Sequence, residues 1–142
     1  MSHQLPVMRQ LTDTLSACAQ LTQEDIKALA DAGVKTLICN RPDDEEPDQP
    51  AASSLQAYAE SLGLEWFFQP VISGQVEDAQ GDEFAEILSK AKTPIVAFCR
   101  SGARCGMLWA LSQRNQQQPQ ALVEHLKASG YDMPDFFARL IK

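Results

Sequence analysis

The chain has 142 residues, 44% of them hydrophobic, and a formal net charge of −7. That length suffices for one domain with a real core, and an acidic balance without a basic stripe argues against a nucleic-acid partner. No apolar run approaches a membrane-spanning length, and residues 1–10 lack the apolar stretch of a signal peptide, so a single-domain cytoplasmic protein with no membrane partner is expected. The four cysteines, at positions 18, 39, 99 and 105, show no C-x-x-C spacing. Neither a metal site nor a stable disulfide framework is expected from them. His3 and His125 lie far apart and form no ligand pattern, so no metal and no cofactor is expected; His125 reads as a surface or half-buried helix residue.

In chain order, residues 11–18 read as a short strand or hairpin. Thr22 then precedes Gln-Glu-Asp and a face of Ile26, Leu29 and Ala30. This is a helix opening, with Thr22 as N-cap and acids in the first turn; Gly33 follows the helix end near Ala32. Residues 34–39 are β-branched and apolar and read as a strand in a parallel crossover. Asn40-Arg41-Pro42 stops that strand, and the acidic run 43–46 opens a proline-studded loop that reaches Pro50. A loop at the carboxyl end of such a strand faces the rim where α/β proteins bind ligands. Arg41 and one acid of this loop are therefore candidates for the site. Residues 51–62 read as a helix closed by Gly63, and 64–68 as a strand nearer an edge, with Trp66, Phe67 and Phe68 as core residues. A polar loop is expected over 75–81, a short helix over 82–88 with Phe84, Ile87 and Leu88 inward, and a break at Thr93-Pro94.

The most informative stretch runs from Pro94 to Leu111. Ile95-Val-Ala-Phe98 is a buried parallel strand by composition, and Met107 to Leu111 reads as the start of a buried helix continuing to about Gln113. Between them stand Cys99, Arg100, Ser101, Gly102, Ala103, Arg104 and Cys105. A strand, a tight glycine-containing loop and a helix N-terminus make an anion cradle of main-chain N–H groups. Cys99 opens the loop, and the helix N-terminus and nearby guanidinium groups favour its thiolate. Cys99 is the expected nucleophile and Arg104 the anion clamp. Arg100, Ser101, Gly102, Ala103 and Cys105 line the cradle through their amides, with Gly102 at positive φ. Pro119 opens a further helix with a Leu122, Val123, Leu126 face, ended by Gly130, and residues 135–141 form a last short helix. The alternation of elements predicts an α/β fold of three layers, with a mainly parallel central sheet flanked by helices.

With these residues placed, the chain resembles a bacterial family, the phosphatase-like domain of β-lactamase hydrolase-like proteins, also called DUF442. The resemblance spans about residues 5 to 113. It rests on Ala19-Gln20-Leu21-Thr22 with Glu24-Asp25, on Gly33-Val34-Lys35-Thr36 with Asn40-Arg41-Pro42-Asp43, on Gly63-Leu64, and on Phe98 through Arg104 with Leu108-Trp109-Ala110. It implies a dual-specificity-phosphatase-like fold and either phosphatase or sulfurtransferase chemistry.

A cysteine phosphatase needs a thiolate, an amide and arginine cradle, and an acid for the leaving oxygen. Here the loop holds four residues between Cys99 and Arg104, one fewer than is usual in the superfamily. Cys105 replaces the usual hydroxyl residue, and no carboxylate stands near Ser73, where relatives carry their acid. Asp78, Asp82 or an acid of the 43–46 run, Asp43 among them, are the candidate substitutes, with Arg41 at the rim. Three readings follow. The first is a cysteine-dependent phosphatase acting on a small phosphate monoester or a phosphoprotein. The second is a rhodanese-type sulfurtransferase carrying a Cys99 persulfide, and the third a non-catalytic anion-binding regulatory module. The expected partner is a small anionic substrate, either a phosphate ester or a sulfane-sulfur donor. Oligomeric state is open. Cys39 and Cys105 are possible redox partners of Cys99.

Overall fold

The computed structural model describes residues 4–142, so His3 lies outside the described residues. Five strands form one sheet in the order β1-β2-β5-β3-β4. Met8–Gln10 (β1) and Leu15–Cys18 (β2) pair as a hairpin with β1 as the antiparallel edge; of the expected 11–18 stretch only 15–18 is strand, and its partner strand lies before it. Thr36–Cys39 (β3), Glu65–Phe68 (β4) and Ile95–Phe98 (β5) all run parallel to β2. The central strand β5 is buried along its whole length, as its unbroken apolar run requires.

Helices cover both faces. Gln23–Asp31 (α1) and Ala52–Ser61 (α2) pack on one face with Leu37, Cys39, Val96 and Phe98. On the other face, Asp78–Lys90 (α3), Ala103–Ser112 (α4), Pro119–Ala128 (α5) and Pro134–Ile141 (α6) pack with Ile38, Ile95 and Ala97. Alternate residues of β5 thus serve opposite layers, the two-residue period of a strand. The three-layer arrangement with a mainly parallel sheet is as expected from the alternation of elements.

Thr22 caps α1 in a reciprocal box. Its hydroxyl accepts the Asp25 N–H at 3.1 Å, and the Asp25 carboxylate accepts the Thr22 N–H at 2.9 Å. His125 is half-buried, stacked on Trp109 with ring centroids 4.5 Å apart.

Three further boundaries and one residue's burial differ from expectation. β3 begins at Thr36 rather than at residue 34, because the preceding turn uses the Val34 N–H to satisfy Leu29 O. α3 begins at Asp78 rather than at residue 82. Glu77 and Gln80 close a capping box there, and Gly81 lies inside the helix where it meets α4: a Cβ on it would stand 2.4 Å from that of Leu111. A polar glycine-containing stretch was thus a helix, because close helix approach and not a turn requires the glycine. α4 begins at Ala103, four residues before Met107, which brings Arg104 and Cys105 into its first turn. Phe68 is 44% exposed and so is not a core residue, since it ends the edge strand β4.

Candidate active site

The site sits where the carboxyl ends of β2, β5 and β3 meet the first turn of α4. Cys99 follows β5 directly and has no solvent exposure. Gly102 ends the loop at φ 93°, in the left-handed region, and a Cβ there would stand 3.2 Å from the Cys18 carbonyl oxygen. Only glycine meets both conditions without strain. That turn sends the Gly102 N–H back to the Cys99 sulfur at 3.0 Å. Tyr131 holds the outside of the same turn: its hydroxyl donates to Gly102 O at 3.0 Å, and its ring covers Gly106, where a Cβ would stand 2.6 Å from Tyr131 Cζ.

The Cys99 thiol is drawn down to about 5. The largest cause is the hydrogen bond from the Cys105 side chain; burial opposes it, and the amides of Cys105 and Ser101 and the charge of Arg104 add to it. The other three thiols move the opposite way. Burial pushes Cys18 and Cys39 up to about 12 and Cys105 well above the usual thiol range. One sulfur in four is therefore ionised at neutral pH.

Arg104 is 5% exposed. Its Nη1 donates to Glu45 Oε2 at 2.7 Å and to Val71 O at 2.9 Å, and its Nη2 donates to Glu45 Oε1 at 3.0 Å. Three of the five guanidinium hydrogens are thereby engaged end-on. The Nε–H and the second Nη2–H, which share the other edge of the fork, meet no acceptor among the described residues. That edge is the one suited to gripping two oxygens of an oxyanion.

Glu45 is also bound by Arg41, whose Nε donates to Oε1 at 2.9 Å. Held first by Arg104 and then by Arg41, its carboxyl falls to about 2. Arg41 completes its contacts with Gln20 Oε1 at 3.0 Å and Glu46 Oε1 at 2.9 Å. Gln49 folds the acidic loop on itself, donating to Pro42 O at 2.8 Å and accepting the Glu45 N–H at 3.1 Å. The loop is therefore a shaped strap that turns Glu45 and Glu46 toward the arginines.

The structure brings together Cys99, Arg104, Cys105, Gly102, Ala103 and the rim residue Arg41. Ala103 N–H donates to Ser101 Oγ at 3.3 Å, while the side chains of Ser101 and Arg100 face solvent. It takes the three proposed acids elsewhere. Asp43 Oδ1 accepts the Ala52 N–H at 2.8 Å, capping α2 from a distance. Asp82 binds Arg114 at 2.7 and 3.2 Å, and Asp78 binds Arg139 at 2.9 Å, on the outer side of α3. Cys39 belongs to the layer of α1 and α2 and donates to Arg41 O at 3.4 Å, whereas Cys99 and Cys105 belong to the other layer. Gln20, Val71 and Tyr131 were given no role in the site from the sequence. Glu45 was covered only as one acid of the 43–46 run expected beside Arg41.

A cysteine closing the central parallel strand, an arginine in the first turn of the next helix and amides between them define a cysteine-phosphatase-like α/β domain. The chain belongs to the family of the β-lactamase hydrolase-like protein, phosphatase-like domain, whose model matches residues 7–116. The β-lactamase hydrolase-like protein of Xylella fastidiosa strain Temecula1 is 32% identical over 103 residues, 72% of this chain and 24% of that protein. The chain thus spans about a quarter of the length of the curated relatives it matches. A crystal structure of a candidate phosphatase from Neisseria meningitidis superposes with a TM-score of 0.82 at 32% identity, covering 92% of this chain and 94% of that one. Kinase associated phosphatase, solved with its catalytic-site cysteine changed to serine, superposes at 0.74 with 16% identity, covering 97% and 94%, and shares the fold. No helix among the described residues is long and apolar enough to cross a membrane.

Proposed function

We propose that the protein is a cysteine-dependent phosphatase acting on a phosphate monoester through Cys99. The observation that carries this reading is the Gly102 N–H aimed at the Cys99 sulfur at 3.0 Å, in a loop whose thiol is drawn down to about 5. The thiolate attacks phosphorus: an S–P bond forms, the P–O bond to the leaving group breaks, and the leaving oxygen departs with the electron pair. Water then attacks phosphorus, the S–P bond breaks, inorganic phosphate leaves and the thiolate returns. The loop amides and the open edge of Arg104 hold the non-reacting oxygens in both steps. Glu45 and Val71 O fix the plane of Arg104, a positioning role outside the bond changes.

Glu45 is ionised near neutral pH and cannot donate a proton to the leaving oxygen from its place on Arg104. The reaction therefore favours leaving groups that are themselves weak bases, such as phenolates. Hydrolysis of a series of aryl phosphates tests this. The expected result is turnover that rises steeply as the phenol becomes more acidic and is absent in Cys99→Ser. Equal turnover in Cys99→Ser would overturn it.

The same lack of a leaving-group acid supports a second reading, sulfur transfer. Thiolate attack on the outer sulfur of thiosulfate forms a Cys99 persulfide and releases sulfite, and cyanide then removes the sulfur as thiocyanate. Thiocyanate formation with no aryl phosphate turnover would favour it over the phosphatase.

A further inference from the structure

Beside the Cys99 loop lies a second basic position that the phosphatase chemistry above does not use. Arg41, 3% exposed, lies just beyond β3, and Arg100, its side chain 67% exposed, follows Cys99. Their guanidiniums converge on a single oxygen: Glu46 Oε1 accepts a hydrogen bond from Arg41 Nη2 at 2.9 Å and lies 3.0 Å from Arg100 Nε in an ion pair. A cavity of about 350 Å³ opens there, lined by Gln20, Arg41, Glu46, Asp48, Gln49 and Arg100 among others.

Glu46 is suited to be displaced. Its side chain is 44% exposed, and an exposed carboxylate on an arginine contributes little to stability. Arg41 is different, because a buried guanidinium needs an anionic partner; it keeps Glu45 on its Nε whatever happens to Glu46. The Nη1 and Nη2 of Arg100 meet no acceptor among the described residues. An incoming phosphate or carboxylate with two oxygens to offer gains a fork contact that Glu46 does not make. Asp48 lines the same cavity and repels a third negative group.

We propose that Arg41 and Arg100 form a second anion subsite, and that the ligand is a small phosphate monoester carrying one neighbouring anionic group, phosphate or carboxylate, that replaces Glu46. This inference rests on the reading of the Cys99 loop as the primary oxyanion site. The position of the subsite, one residue past the nucleophile and sharing Arg41 with Glu45, places the second group next to the reacting one. Specificity then comes from the pair of anionic groups rather than from an apolar slot.

The test compares two esters that differ in the second group alone, ethyl phosphate and phosphoglycolate, by calorimetry on the Cys99→Ser protein, which binds without turning over. Phosphoglycolate is expected to bind about tenfold more tightly, the gain of one charge-assisted fork contact. Arg100→Gln on the same background removes that preference, and Glu46→Gln enlarges it, because the competing carboxylate is gone. Equal affinity for the two esters, or a preference that survives Arg100→Gln, overturns the subsite. Binding of neither ester overturns the primary cradle as well; binding of ethyl phosphate with no gain for phosphoglycolate overturns the subsite alone.

Discussion

The molecule carries two arginine–carboxylate networks built from the same chemistry in different surroundings. In the first, Arg104 and Arg41, with side chains 7% and 4% exposed, share Glu45 at the carboxyl end of the sheet. In the second, Arg114 and Arg139, 27% and 42% exposed, bind Asp78 and Asp82 along the outside of α3. The bond lengths are alike, 2.7 Å for both Arg104–Glu45 and Arg114–Asp82. Burial separates them. Water competes for the outer network and leaves it a small stabilising effect, whereas the inner one holds charges that have nowhere else to go. Bond length alone does not separate the two networks. What distinguishes the inner one is a buried guanidinium with an unengaged edge beside an ionised sulfur.

The largest effect expected on that contrast is at the cradle. Arg104→Lys keeps the charge but loses the fork, and aryl phosphate turnover should fall by roughly 10²–10³-fold, the loss typical of removing one oxyanion donor. A fall of less than threefold would show that the guanidinium does not hold the reacting oxygens. Next comes Glu45→Gln, which leaves two buried guanidiniums with a neutral partner and should cost about 1–3 kcal/mol in a denaturant titration. Its pH signature is specific. Because the Glu45 carboxyl is lowered from 4.5 to about 2 on folding, its contribution is complete above pH 4.5 and is lost as pH falls toward 2. The wild type should lose stability over that window more steeply than Glu45→Gln; parallel acid profiles would contradict the inner pairing.

Gly102→Ala should cost about 1–2 kcal/mol, from positive φ and the close Cys18 carbonyl together, and should raise the Cys99 thiol by misdirecting the Gly102 amide. The smallest effect is reserved for the outer network. Asp82→Asn should leave the denaturation midpoint nearly unchanged and leave aryl phosphate turnover as it was. A loss of turnover there would collapse the distinction between the two networks.

Much of this was legible in the chain itself, for physical reasons that can be named. Ile95-Val-Ala-Phe98 announces a strand buried on both faces, and Thr22 with Asp25 announces a helix start, because each is a local requirement of its element. Cys99 and Gly102 were legible because a thiol at a strand end and a glycine before a helix have few other uses together. The acid was not. Asp78 and Asp82 were plausible from their place after β4, but α3 begins early and turns both outward to Arg114 and Arg139. Glu45 was legible only as one of several: the acidic run was a candidate to line the site with Arg41, but nothing in a run of acids between prolines says which of them turns inward. Gln49, folding that loop back through three side-chain hydrogen bonds, and Asp43, tied to the Ala52 N–H, turn it toward the arginines. Contacts across such a loop depend on tertiary geometry, for which the sequence has no periodic signature.

The central claim concerns the charge on one sulfur. The ultraviolet absorbance of thiolate, followed from acid to alkaline pH and taken as the difference between the wild type and Cys99→Ser, isolates it from Cys18, Cys39 and Cys105. A one-thiolate step with a midpoint near pH 5 is the predicted result. A step near pH 9, that of an ordinary cysteine, would mean that the loop does not ionise its thiol.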